Sequence, residues 1–297
     1  MRLKRAIVVA MLVVVAVIWW MGSRGMLGSQ TNRLTITAGS AVLLDAKTGK
    51  WVYRLNADKP LPPASMSKMM TEAIVLEAID QGKIAWNDRL SASDYAAKVG
   101  GASMGLVPGQ KATVRELFFA MAVHSANDAA VTLAESIAGS ESAFVERMNA
   151  KAAEIGLSAN SQFANATGLP SADLEPYATA AAAGDTVMTA EDVALLAEYL
   201  VNKHPELLEV TKRPVVEVNG GESLATTNEM LPGQRFSTKG NEGLKTGYTK
   251  NAGYCFTGVT VIGGRRYITV VMGSATAEGR FEETQKLLNY AKERAES

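Results

Sequence analysis

Hydrophobic and polar positions along this chain follow two rhythms, a strand-like alternation near both ends and a helical period between them. Ser40–Asp45 and Trp51–Leu55 flank a turn at Ala46–Lys50, which predicts a hairpin. After Pro62-Pro63 the spacing of Met69, Met70, Ala73, Ile74, Leu76 and Ala78 predicts a helix of about four turns, with Ser65 at its start because the prolines cannot continue it backwards. Further helices are expected over Val114–Val123, Ala129–Ala138, Ser142–Ile155 and Thr189–Asn202, the last capped by Thr189 with Glu191 and Asp192 in its first turn. Between them, Ile84–Asp94 reads as polar turn, Lys98–Gln110 as a glycine-rich loop and Ala172–Gly184 as a surface loop. Strand rhythm returns at Val215–Val218 and Gly243–Thr249, then in a hairpin of Ala252–Ile262 with Arg266–Gly273 across Gly263-Gly264. A closing helix, Gly279–Ala295, carries Phe281, Leu287, Leu288 and Tyr290 on one face. Strands at both ends with helices between predict an α+β fold: one antiparallel sheet built from both termini, flanked by helices, with an inserted helical lobe.

Ahead of the first strand the pattern is of another kind. Arg2, Lys4 and Arg5 precede an apolar run from Ala6 to Met21 that ends in Trp19-Trp20, and charge returns at Arg24. The run spans roughly 25 Å as a helix, marginal for a bilayer and long for a signal-peptide core. Its basic flank stays cytoplasmic, so the rest of the chain is expected outside the membrane. Trp20-Met21-Gly22 and Leu27-Gly28-Ser29 each lack a small residue two places before the last, which favours an uncleaved anchor over a cleaved signal. Residues 1–35 are therefore read as anchor or signal plus a polar linker, and residues 36–297 as the functional domain.

Composition narrows the chemistry. With 297 residues, 47% apolar, the chain is long enough for a large core. Thirty basic residues balance thirty acidic ones, which argues against nucleic acid as a partner. The single Cys255, in a strand-like setting, excludes an internal disulfide or a cysteine metal cluster, and is read as a packed thiol. His124 and His204 are too few for a histidine metal site, and His204, before Pro205, is expected to be solvated.

Ser65 and Lys68 stand three apart, so on a helix they project toward one point. A serine hydroxyl needs a neighbour to take its proton, and a lysine can do so once burial and a helix N-terminus lower its pKa. The backbone N–H groups there could hold an oxyanion. Taken alone the tetrapeptide is weak. Downstream, however, come Ser125-Ala126-Asn127 at a helix junction and Lys245-Thr246-Gly247 on a strand. S-x-x-K, S-x-N and K-T-G in that order form a recognised catalytic set. Lys47-Thr48-Gly49, a second K-T-G ahead of the nucleophile, is read as turn chemistry only.

With Pro63-Ala64-Ser65-Met66-Ser67-Lys68-Met69-Met70-Thr71, Ser125-Ala126-Asn127-Asp128-Ala129, Met148-Asn149, Gly156-Leu157, Thr167-Gly168-Leu169, Lys245-Thr246-Gly247-Tyr248-Thr249 and Ala252-Gly253-Tyr254, residues 36–295 resemble the serine D-alanyl-D-alanine carboxypeptidases, low-molecular-mass penicillin-binding proteins of the S11 type. The resemblance implies a β-lactamase/transpeptidase-like fold and an enzyme without metal or organic cofactor. It implies that Ser65 attacks the D-Ala-D-Ala carbonyl of a peptidoglycan stem peptide and forms an acyl-enzyme, with Lys68 as base. Ser125 would relay a proton to the leaving D-alanine and Lys245 keep that network positive. Asn127 would bind the substrate amide, Thr246, Thr249 and Arg280 the terminal carboxylate, and the Ser65 and Tyr248 backbone N–H groups the oxyanion, with Gly247 completing the strand. A fixed cation and hydroxyl donors suit a terminal carboxylate. β-Lactam antibiotics would be inhibitors. Many such proteins carry a second, β-rich domain and a C-terminal amphipathic helix; this sequence stops at Ser297, so the expected membrane attachment is the N-terminal segment, on the extracytoplasmic face.

Two alternatives stay open. A serine β-lactamase would want a deacylating glutamate in an E-x-x-L-N-type loop, and Glu198-Tyr199-Leu200-Val201-Asn202 has the wrong spacing and lies in an expected helix. A membrane-tethered, non-catalytic penicillin-binding scaffold would require a Ser65 that is never acylated.

Overall fold

The central sheet is built from the two ends of the chain, as the alternation of the sequence implies. The structure is a computed structural model that describes residues 34–295 except 178, 179 and 219. Strands β1 (Ser40–Asp45) and β2 (Lys50–Leu55) form the first hairpin, with Lys47-Thr48-Gly49 in its turn and Gly49 at positive φ. Strands β7 (Asn241–Thr249), β8 (Gly253–Ile262) and β9 (Arg265–Ser274) come from the far end. β1 pairs antiparallel with β9, Val42 opposite Val270, giving the order β2-β1-β9-β8-β7 and leaving β7 on an edge.

Both faces of this sheet are covered, and the period-two alternation sorts its residues between them. Val42, Leu44, Ile268, Val270 and Met272 join one core with the helical lobe. On the other side Phe256 meets Phe281 edge-on at 5.2 Å. Phe281 belongs to the closing helix Gly279–Ala295, whose Leu287 and Leu288 are also buried. Each such side chain contributes about 1.5–3 kcal/mol by leaving water.

The helical lobe is threaded between β2 and β7. Helix α1 (Lys68–Asp80) is buried from Lys68 through Leu76 and again at Ala78, so it is apolar nearly all round. Around it lie α2 (Asp94–Lys98), α3 (Val114–Phe119), α4 (Asn127–Ala138), α5 (Glu141–Ile155), α6 (Ala190–Lys203) and α7 (Leu207–Thr211); the closing helix is α8. α1 packs on α4, α5 and α6, and α6 reaches back to β1 and β9.

Several expectations are corrected. Ser65 lies in a 3-10 turn, Ala64–Ser67, and the α-helix proper begins at Lys68. The stretch read as turn, Ile84–Asp94, contains β3 (Arg89–Ser91), which pairs with β4 (Lys111–Thr113) just past the glycine-rich loop, and α2 lies between turn and loop; the strands are too short to show a period. The helix expected over Val114–Val123 passes into a π turn at Ala120–His124. A second ribbon pairs β5 (Val215–Val218) with β6 (Glu222–Ala225). The Ala172–Gly184 segment is not purely surface, since Leu174 and Ala181 are buried. His204 is 1% exposed, not solvated. Its backbone N–H still bonds Leu200 O at 2.8 Å, keeping it on the end of α6, where Tyr199 covers its ring edge-on. Of the anchor or signal and linker expected in residues 1–35, residues 1–33 lie outside the described residues. No helix among those described is long and apolar enough to cross a membrane.

The start of α6 shows how lobe and loops are tied. Thr189 caps it through Asp192 N, and Asp192 is buried while its carboxylate accepts from Ser158 N at 2.9 Å, Ser158 Oγ at 2.6 Å and Ser161 Oγ at 2.6 Å. Replacing it removes the shared acceptor of three donors, of which the Ser161 hydroxyl is buried. Asp192→Ala should lower unfolding stability in urea by about 2–4 kcal/mol, whereas Asp94→Ala, on an exposed pair with Lys98, should change it by less than about 1 kcal/mol.

Candidate active site

The two prolines deliver the chain to the site in a fixed direction. Leu61 exchanges backbone hydrogen bonds with Met188, both at 2.9 Å, and Ala64 takes up a positive φ of 49°. The 3-10 turn that follows holds Ser65 half-buried against the first turn of α1. Lys68 Nζ lies 2.9 Å from Ser65 Oγ and donates to Asn127 Oδ1 at 2.5 Å and to the Thr167 carbonyl at 2.8 Å. The lysine has no exposed surface. Burial, reinforced by the nearby Lys245 ammonium, holds it well below the usual lysine range against the pull of Glu72, Asp128 and Glu141. A lowered proton affinity makes the neutral amine easier to reach, and that is the form that can take a proton from the hydroxyl beside it.

Each partner of Lys68 is itself fixed. Asn127 begins α4; its N–H bonds Ala102 O at 2.7 Å and its Nδ2 donates to Gly100 O at 2.6 Å. Just before it, Ser125 closes the π turn in a left-handed conformation and is nearly buried. Asp128 accepts from Ser103 Oγ and from the Met104 and Leu106 N–H groups, tying the 103–106 loop to α4. The Thr167 carbonyl is set by a loop in which Asn165 Oδ1 accepts from the N–H and hydroxyl of Thr167 and from Gly168 N. That loop is clamped from below, where Glu141 accepts from Ala166 N at 2.9 Å and from the Tyr95 hydroxyl at 2.6 Å. Gly168 has φ +79°, and a Cβ there would meet the Ala64 carbonyl oxygen at 2.1 Å.

Across from Ser65 runs the edge strand β7. A Cβ on Gly247 would lie 2.6 Å from Pro63 O and 3.2 Å from Ser65 N, so the absence of a side chain lets the strand approach Ser65. Lys245 is buried, and its ammonium lies at about 8: burial lowers it, Arg280 adds to that, and Glu72 opposes. Its Nζ donates to Thr246 O at 3.2 Å. The Thr246 hydroxyl pairs with the Thr227 hydroxyl at 2.6 Å, and Thr249 Oγ1 accepts from Ala252 N. Arg280, at the start of α8, donates to the Gly247 carbonyl at 3.3 Å, while its Nε is buried with no partner among the described residues. Tyr248 is 53% exposed and stacks on Tyr254 with centroids 4.3 Å apart. Its ring thus forms a wall beside the strand.

The structure thus brings Ser65, Lys68 and Asn127 into direct contact and sets β7 with Lys245, Thr246, Gly247 and Arg280 against them. Thr167, whose carbonyl holds the lysine, sits in a stretch the sequence singled out without a role. Thr227 had no signal at all, because only the fold carries it to Thr246. Cys255 is fully buried and pushed up to about 11 by burial, an inert thiol. Glu198 lies within α6 in a groove lined by Ile155, Leu195, Tyr199, Asn202 and Lys203, none of them a site residue. Among the described residues no group of three or more His, Cys, Asp or Glu side chains converges as a metal site would.

A half-buried serine beside a buried lysine, facing an edge strand of a sheet joined to a helical lobe, is the arrangement of the penicillin-binding protein and transpeptidase class of fold. The S11 peptidase profile, described as D-alanyl-D-alanine carboxypeptidase, matches residues 28–276, and the chain belongs to that family. It is 38% identical over 268 residues to the D-alanyl-D-alanine carboxypeptidase DacF of Bacillus subtilis, covering 89% of this chain and 64% of that protein. The chain therefore spans just under two thirds of that relative's length. Among solved structures, penicillin-binding protein D2 of Listeria monocytogenes in its ampicillin-bound form is 36% identical, covers 87% of this chain and 98% of its own, and has a TM-score of 0.76. PBP3 of Streptococcus pneumoniae, a peptidoglycan synthesis regulatory factor, reaches a TM-score of 0.82 at 37% identity, over 87% of this chain and 80% of its own.

The Gly168 approach yields a test. Gly168→Ala forces the Thr167 carbonyl away from Lys68 and should slow acylation of Ser65 by a fluorescent penicillin roughly hundredfold, with unfolding stability lowered by about 2–4 kcal/mol.

Proposed function

We propose that this chain is a serine D-alanyl-D-alanine carboxypeptidase that removes the terminal D-alanine from peptidoglycan stem peptides and is acylated by penicillin. The observation that carries this reading is the 2.9 Å contact from Lys68 Nζ to Ser65 Oγ in a pocket that keeps the lysine's affinity for protons low. Ser65 Oγ attacks the carbonyl carbon of the penultimate D-alanine while its proton passes to Lys68. The carbonyl oxygen becomes an oxyanion facing the backbone N–H groups of Ser65 and Tyr248. The C–N bond then breaks, and Lys68 passes its proton through Ser125 to the leaving D-alanine nitrogen, in a network that Lys245 keeps positive. Water attacks the resulting ester and gives a proton to the now neutral Lys68, which returns it to Ser65 Oγ as the ester bond breaks.

β7 is an open edge, so the substrate backbone can lie alongside it as an added strand. Thr246, Thr249 and Arg280 provide hydroxyls and a buried guanidinium for the terminal carboxylate, and Gly247 leaves room for the approach. Asn127 orients the substrate amide as well as Lys68. Tyr248 supplies an exposed ring against which the stem peptide packs. Residues 36–297 form the peptidase domain, held on the extracytoplasmic face of the membrane by the segment at residues 1–35.

Incubation with a fluorescent penicillin followed by peptide mapping should place the label on Ser65, and diacetyl-Lys-D-Ala-D-Ala should release D-alanine. Ser65→Ala should abolish both, and Lys68→Ala should slow acylation about 10²–10⁴-fold. Lys47→Ala, in the turn copy of K-T-G, should leave them unchanged. Rapid penicillin turnover with little D-alanine would replace the reading with a β-lactamase, and an unlabelled folded protein would leave only a scaffold.

A further inference from the structure

Glu72 lies one turn beyond Lys68 on α1, on the same face of the helix. It is 1% exposed, and both its carboxylate oxygens are buried without a hydrogen-bond partner among the described residues. Buried carboxylates are ordinarily hydrogen-bonded or paired, because a bare one is costly to desolvate. Its charged neighbours are Lys245, on β7, and Lys68, both of them buried. Burial raises the Glu72 carboxyl to about 7, with Lys245 and Lys68 pulling it down.

Other charges flank this trio, and they are already engaged. Arg280, from α8, lies on the Lys245 side and donates to Gly247 O. Asp128, from α4, and Glu141, from α5, face Lys68, and each accepts hydrogen bonds from its own loop. From α6, Tyr199 bonds Glu77, farther along α1, and from the π turn His124 pairs with the Ala225 carbonyl. Glu72 is spent on none of these. No step of the mechanism uses it either, and the sequence showed only an acidic residue inside an apolar run.

Resting on the proposed acylation chemistry, we infer that Glu72 is a positioning residue for charge, the buried counter-ion that keeps Lys245 protonated while Lys68 beside it stays neutral. Two lysines in one dry volume repel, and the second proton is lost unless a negative charge sits with them. Glu72 supplies that charge without touching the substrate. The active site can then hold a neutral base and a cation only a few side chains apart.

The test is the pH dependence of penicillin acylation of the wild-type chain and of Glu72→Gln. Removing the negative charge lowers the proton affinity of Lys245, so the alkaline limb of the profile should move about one unit or more to lower pH. Glu72→Asp keeps the charge and should restore the limb most of the way. A Gln variant that is slower by the same factor at every pH, with its alkaline limb unmoved, would reduce Glu72 to packing and overturn the inference. If Glu72→Gln fails to fold, carboxyl ¹³C NMR of the wild-type protein decides, since a counter-ion must be charged and every glutamate should be ionised above neutrality. A glutamate that stays protonated at alkaline pH, through the range where lysines begin to titrate, would overturn it. The NMR result needs no activity, so a wild-type protein that penicillin never labels counts against the proposed function separately.

Discussion

The structure turns on the desolvation of one ammonium group. Lys68 has no exposed surface, and its Nζ is bounded by Ser65 Oγ, Asn127 Oδ1 and the Thr167 carbonyl. A charged lysine in water is a poor base, and one moved into the interior releases its proton readily. Keeping it dry requires α1 to be enclosed by α4, α5 and α6 and its first turn to be roofed by the 165–168 loop. The lobe is in this sense the housing of a single nitrogen atom.

That housing has to close around the nucleophile without side-chain bulk in the way. Gly168 and Gly247 approach the 3-10 turn from opposite directions, the first against Ala64 O and the second against Pro63 O and Ser65 N. The backbone of the turn is thereby fixed by the lobe on one side and the sheet on the other. Sheet and lobe come from distant parts of the sequence, and Ser65 sits at their seam. Its two-sided support explains why a residue on a single 3-10 turn can be held well enough for chemistry.

Much of this was legible in the chain. The sheet of both termini follows from short apolar runs bounded by turns at Ser40–Asp45 and Ala252–Ile262, and the proposed chemistry from Ser65, Lys68 and Lys245 in their order. Lys47-Thr48-Gly49 was separable from Lys245-Thr246-Gly247 because its neighbours read as a turn. What stayed hidden depends on tertiary contact. Thr227 reaches Thr246 through the fold alone, β3 and β4 are three-residue strands with no period to detect, and His204 is buried because Tyr199 covers it. Glu72 looked like an ordinary helix-forming residue, since no pattern says that both of its lysine neighbours will also be dry.

The most direct measurement is the protonation state of Lys68 in the unliganded protein, followed by ¹³Cε NMR of labelled lysines across pH and assigned by the resonance lost in Lys68→Gln. Lys68 should titrate well below 10.5, leaving a neutral amine beside Ser65. Titration with the surface lysines, near about 10.4, would contradict the account, because Ser65 would then have no base within reach.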